Sequence, residues 1–272
     1  MASCHQQLRS TSLPVRPHAL VQELEDELHR LRSNATSSSS SSSPATSSSL
    51  ADRLADAYGR VEELVGLPGG RDALSTPRWR GAVEATLESS VSLLDLCERA
   101  RDAAASAKQH VRAAQRAVRR GDAAAAKAAV RGYVRCLTKA SKECTIHSKK
   151  VRATTATAAA ETAAPAAVRV LAECVAVTVA VLRRVTSSLS ASVEETSTAT
   201  SKKSKWCVVS RLLRSDDRSL FDYLDTADDG LVRAQEMLQD LDDSVESVEN
   251  ALEHLFRRIV HSRVALLNVL TL

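Results

Sequence analysis

Outside one serine tract, the apolar positions of this chain recur with the pitch of an α-helix. Leu20, Leu24, Leu28 and Leu31 step by four, four and three, which puts them on one face of a short amphipathic helix over residues 19–32. Ser33 to Ser49 is almost entirely serine with a few Ala, Thr and one Pro. Such a tract has no apolar surface to offset its ordering entropy, so it reads as a disordered, mobile linker. The stripe resumes with Leu50, Leu54, Tyr58, Val61, Leu64 and Val65 and stops at Gly66 and Pro68-Gly69-Gly70. Thr76-Pro77 is a start signal, a capping hydroxyl before a proline whose fixed φ suits the first turn. Val83, Leu87, Val91 and Leu94 follow, with Leu93, Leu96 and Cys97 widening the face. They predict a long helix running through Val111 and Val118 to Gly121. A basic helix opens at Gly121-Asp122, carries Val130, Val134 and Leu137 on one side, and fades in the Thr/Ala stretch at 153–162.

Residues 163–190 are apolar on most sides (Val168, Val170, Leu171, Val175, Val177, Val179, Val181, Leu182, Val185). A helix without a polar face is usually central, with neighbours all round. A polar break at 191–204 separates it from a short amphipathic piece, Trp206 to Leu213. Ala234, Leu238, Leu241, Val245, Val248, Leu252, Leu255 and Ile259 then advance by alternating fours and threes, a heptad seam of coiled-coil type. Phe256, Val260, Val264, Leu267 and Leu270 broaden it toward the end. The forty residues Leu231 to Leu270 would span roughly 60 Å, a strut expected to run antiparallel to the 77–118 helix. The predicted fold is all-α: an elongated antiparallel helical bundle over 50–272 with a long C-terminal helix. It is preceded by a mostly disordered N-terminal region, 1–49, holding the 19–32 helix and the poly-Ser linker.

Composition agrees with this reading. Apolar residues make up 44% of the 272 and aromatics only 3%, so the interior must be built from Leu, Val and Ala, which suits closely approaching helices. The net charge of +4 is too small to imply a nucleic-acid partner, but its distribution is uneven. Arg99 to Arg152 holds 15 Lys and Arg against three acids, whereas Arg214 to Glu253 holds 13 Asp and Glu against three Arg. Two such blocks can neutralise each other side by side in one bundle. The basic block could instead meet an anionic membrane surface or another polyanion, through Arg112, Arg116, Arg119, Arg120, Arg131 and Arg135. Nucleic acid is the poorer fit, because Tyr133 is the block's only aromatic and base stacking needs several.

No apolar signal core follows Met1, since His5, Arg9, Pro14, Arg16 and Pro17 interrupt the start. The chain is therefore expected to be cytoplasmic or nuclear with reduced thiols, plastid or mitochondrial targeting being the lesser alternative. The most apolar run, Ala163 to Leu182, contains Pro165, Arg169 and Glu173, which marks a core helix and not a membrane span.

Candidate chemistry is sparse. Cys136, Cys144 and His147 come nearest to a metal site, but a structural zinc site wants four ligands in paired close spacings. Cys4, Cys97, Cys174 and Cys207 are scattered. The serines lack a nucleophile-elbow pattern, Gly66, Gly69 and Gly70 lack a phosphate-loop continuation, and His110, His147, His254 and His261 sit inside helical patterns with charged neighbours. The expectation is a non-enzymatic chain with no catalytic, cofactor-binding or metal site and no small-molecule substrate. Trp79 and Trp206 read as core anchors.

Four stretches carry a resemblance: Ser12-Leu13-Pro14-Val15-Arg16-Pro17-His18, the run Leu87 to Cys97, Trp206-Cys207-Val208-Val209-Ser210, and the run Leu255 to Asn268. Their order and spacing resemble a plant-specific family of helical proteins grouped with the BYPASS proteins of root and shoot development. The resemblance covers nearly the whole chain and departs most in the Ala-rich 153–180 region. It implies a helical plant protein linked to root and shoot development, with no catalytic residues to carry across. The function expected is protein–protein interaction through the seam Leu241, Val245, Val248, Leu252, Leu255 and Ile259 with an unknown partner. The alternative is a peripheral membrane or polyanion-binding role for the basic helices over 99–152.

Overall fold

The computed structural model describes residues 19–37, 44–155, 164–194 and 228–271. Within them lie seven helices and no strand: α1 (Ala19–Thr36), α2 (Pro44–Gly66), α3 (Pro68–Ser75), α4 (Pro77–Arg119), α5 (Ala123–Thr155), α6 (Ala166–Glu194) and α7 (Asp228–Leu270). The predicted all-α bundle with a long C-terminal helix is what the chain forms. The Ser12–His18 stretch, the middle of the serine tract (38–43), most of the Thr/Ala stretch (156–163) and the Trp206–Leu213 piece lie outside the described residues.

Helices α2, α7, α4 and α6 pack in that cyclic order, each against the next and α6 back against α2. α5 lies on α4 and α6, α1 lies on α2 and α6, and α3 touches α2, α4, α6 and α7 at one end. α6 therefore has neighbours on several sides, which explains its lack of a polar face: Val170, Leu171, Val175, Val177, Val181, Leu182 and Val185 are all buried. α4 and α7, 43 residues each, run antiparallel. Gln115 Nε2 donates to the Leu238 carbonyl (3.1 Å) near one end of their contact, and the Cys97 thiol donates to the Leu252 carbonyl (3.5 Å) further along.

The interior of α4 is built from small residues. Ala100, Ala104, Ala107, Ala114 and Ala117 are buried on it, as are Ala126 and Ala129 on α5. Gly132 leaves room for the His110 ring of α4, because a Cβ there would stand 2.5 Å from His110 Cε1. The reversal between α4 and α5 uses Gly121 at φ 69°, a conformation that costs glycine nothing. Asp122 Oδ1 then accepts the Ala125 amide at 2.9 Å and caps α5. Buried hydroxyls tie the layers: Thr178 donates to the Cys174 carbonyl (2.6 Å), so Tyr58 donates to Thr178 (2.8 Å), and Tyr133 donates to the Leu189 carbonyl (3.2 Å).

Three local readings change. The 19–32 helix extends to Thr36, and instead of hanging off a linker it packs into the bundle, with Leu24, Leu28 and Leu31 fully buried. α2 begins at Pro44, six residues before Leu50. Ser47 and Ser48 are buried, and Ser48 accepts a hydrogen bond from Ser247 of α7 (2.9 Å), so that end of the serine tract gains tertiary contacts that offset its ordering. The Pro68-Gly69-Gly70 break is itself the start of α3. Gly70 allows it, because a Cβ there would collide with the Leu64 carbonyl. At Thr76 the start signal stands where expected, but the hydroxyl donates backwards to the Asp72 carbonyl at 2.8 Å and makes no side-chain cap.

Candidate interaction site

The basic block is divided between α4 and α5, and the two helices treat it differently. On α4, Arg101, Lys108 and Arg112 each follow a buried residue by one position (Ala100, Ala107, Val111). One residue is roughly 100° around the helix, so these cations flank the core. On α7, Asp242, Glu246, Glu249 and Glu253 likewise each follow a seam residue (Leu241, Val245, Val248, Leu252). Antiparallel packing brings the two flanking rows together. Lys108 Nζ lies 3.1 Å from Glu246 and 3.2 Å from Glu249. Arg112 Nε donates to both oxygens of the largely buried Asp242 carboxylate (3.3 and 3.2 Å) and its Nη2 approaches Glu246 at 3.7 Å. Arg101 pairs with Glu253, which also accepts Arg257 Nε at 2.8 Å, and the Arg101 guanidinium lies 5.3 Å from the Phe256 ring centroid. Burial alone would lower the Lys108 pKa, but Glu246 and Glu249 outweigh it and hold the ammonium above the ordinary lysine value.

On α5 the cations point elsewhere. Arg131, Arg135, Lys142 and Lys149 follow one another by four, seven and seven residues, and seven residues return to nearly the same side. Tyr133, Leu137, Cys144 and Val151, all buried, occupy the opposite side, while Lys127 near the start of the helix is itself buried. All four cations are exposed, with no ion pair among the described residues. Lys139, beside them, reaches Glu143 of its own helix at 3.9 Å. Ile146 on the same face is 67% exposed.

The predicted contact residues are thus sorted by the fold. Arg112 is committed to α7, and Arg119 Nε turns back to the Gln115 carbonyl (3.4 Å). Arg116, Arg120, Arg131 and Arg135 are exposed. The seam Leu241, Val245, Val248, Leu252, Leu255 and Ile259 is at most 4% exposed, because α2 and α4 cover it. In the folded chain these six side chains hold the bundle together and offer no outward surface. Apolar exposure on α7 lies outside the seam, at Val232 (52%) near its start and at Val264 (50%) and Leu267 (39%) toward its end, and on α4 at Val91 (45%). Arg263 joins the two helices there, donating to the Leu87 carbonyl and, at 2.7 Å, to Ser90 Oγ. The sequence signal for this edge is the widening of the stripe after Leu255.

Cys136 and Cys144 serve different interfaces. Cys136 Sγ faces the Ala103 carbonyl of α4 at 3.7 Å, while Cys144 interacts with Thr186 of α6. Among the described residues no group of three or more His, Cys, Asp or Glu gathers as a metal site would require. Burial pushes the Cys97 thiol up to about 12, with Arg101 opposing and Glu253 adding to the shift. Burial also raises Cys144 and Cys174, so these thiols are poor nucleophiles. Trp79 is buried as an anchor, with Arg78 over its ring at 4.8 Å; Trp206 lies outside the described residues. A groove of about 520 Å³ between α1 and α6, lined by Arg32, Arg183 and Arg184 among others, was not legible in the sequence. Arg32 there pairs with Glu173 at 2.8 Å and Arg184 donates to the Ser37 carbonyl at 3.0 Å.

No described helix is long and apolar enough to cross a membrane. Comparison with curated proteins and with solved structures gave no match. A family model described as Protein BPS1 matches residues 51–269, which takes in α3, α4, α5 and α6 whole, nearly all of α7 and α2 from Ala51 onward. Over that span, seam, ion pairs and outward basic face included, the chain belongs to the Protein BPS1 family.

Proposed function

We propose that this chain is a non-enzymatic helical protein of plant root and shoot development that acts by binding another protein. The family assignment supports the developmental part of this reading. The observation that carries the interaction part is the apolar exposure toward the end of α7, where Val264 and Leu267 stand exposed one turn apart. Apolar side chains gathered at one place on a surface mark a contact site more often than single exposed ones do. The partner would present apolar side chains of its own, the usual centre of a protein interface.

Site-specific photo-crosslinking in plant extract, with the probe at position 264, tests it. The expected result is a discrete crosslinked partner that disappears when Leu267→Asp is added and persists when Arg131→Gln and Arg135→Gln are added. Equal crosslinking with and without Leu267→Asp would remove the edge as a contact site. Leu267 is partly exposed, so the fold is expected to tolerate the change.

A further inference from the structure

The outward face of α5 is not accounted for by the fold or by the apolar edge of α7. Its cations stand opposite the helix's buried side, in a row about 27 Å long from Arg131 to Lys149 at the helical rise. In the one described row of acids long enough to neutralise it, Asp242, Glu246, Glu249 and Glu253 are held by α4. We infer that this face of α5, formed by Arg131, Arg135, Lys142 and Lys149 with Ile146 among them, rests on an anionic lipid membrane surface.

The chemistry of the face selects that occupant. A protein partner would need an apolar centre shielded by a polar rim, but Ile146 is the only large apolar side chain on this face that stands well exposed. RNA or DNA would gain from aromatic stacking platforms, and the helix's one aromatic, Tyr133, is buried with its hydroxyl bound to Leu189. A lipid surface needs neither. It offers a plane of negative charge, against which a straight row of guanidinium and ammonium groups can be read without shape complementarity. A single protruding isoleucine can enter the headgroup boundary while the helix lies flat on it. The face thus reads charge density, and its contact should be reversible and salt-sensitive.

The test is co-sedimentation of the full chain with vesicles of phosphatidylcholine alone or with about 30 mol % phosphatidylserine. Binding is expected to the anionic vesicles alone and to fade as salt rises from about 0.05 to 0.5 M. The variant Arg131→Gln/Arg135→Gln/Lys142→Gln/Lys149→Gln should bind about tenfold or more weakly. Two matched pairs separate the face from overall charge: Arg135→Gln/Lys142→Gln and Arg60→Gln/Arg71→Gln remove the same charge, and the α5 pair alone should weaken binding. Equal loss with both pairs would show a net-charge effect and overturn the assignment. So would undiminished binding by the quadruple variant, no binding at low salt, or binding of RNA with no binding to vesicles. Lys139→Arg/Lys142→Arg/Lys149→Arg, which keeps the charge, should bind as the parent chain does.

Discussion

Helices α4 and α5 form a hairpin, carry eight Lys and Arg each, and put those cations to different uses. On α4, Arg101, Lys108 and Arg112 lie about a quarter turn from the core; on α5, Arg131, Arg135, Lys142 and Lys149 lie about half a turn away. That difference decides whether a neighbouring helix can reach them. A flanking cation stands at the edge of the interface, where a partner's flanking carboxylate arrives with the packing of the apolar seam itself. A cation opposite the core meets no other helix of its own bundle. The number of cations does not separate the two cases, whereas angular position does.

The interior of the α4–α7 seam should give the largest effect. Leu252 is fully buried, and Leu252→Ala is expected to cost about 2–5 kcal/mol in denaturant unfolding. Alkaline pH should come next. Cys97, Cys144 and Cys174 have folded pKa values above the ordinary thiol value of 9.0. The folded state must keep those thiols neutral while the unfolded chain ionises, so stability present below pH 9.0 is lost as pH rises, through about 12 for Cys97. Lys108, raised above 10.5, acts in the same direction: its pairing is intact below that value and lost as pH rises through the raised one. Urea unfolding from pH 7 to 11 should therefore show falling stability above pH 9; a flat profile would contradict the buried placement of the thiols. Arg112→Ala removes the cation that pairs with the largely buried Asp242. Arg112 is about half exposed, so solvent screening limits the cost to about 1 kcal/mol. The smallest effect belongs to the other helix, where Arg131→Ala and Arg135→Ala together should change stability by about 0.5 kcal/mol or less.

The difference between the helices was in part legible from the sequence. The stripe periods located α4 to α7 and predicted the antiparallel pairing of α4 with α7, because a 3.6-residue period survives any context that buries it. The opposite charge blocks were also visible, but as blocks. Reading Lys108 as one step after Ala107 requires knowing that Ala107 is buried, and alanine carries little hydrophobic signal of its own. The same blindness hid α3, whose start looks like a turn until Leu64 is known to lie against Gly70. The seam from Leu241 to Ile259 was legible as apolar, but whether a partner protein or the chain itself covers it depends on α2 and α4. At the end of the serine tract composition hides a contact: Ser48 accepts a hydrogen bond from Ser247 of α7, nearly two hundred residues away in sequence.

Charge reversal with rescue tests most directly whether α4 is neutralised from within while α5 is not. Lys108→Glu should lower the melting temperature, and Glu246→Lys/Glu249→Lys in the same chain should restore most of the loss, while Arg131→Glu/Arg135→Glu should leave it nearly unchanged. Equal losses from reversal on the two helices, or no rescue of the α4 variant, would contradict the division.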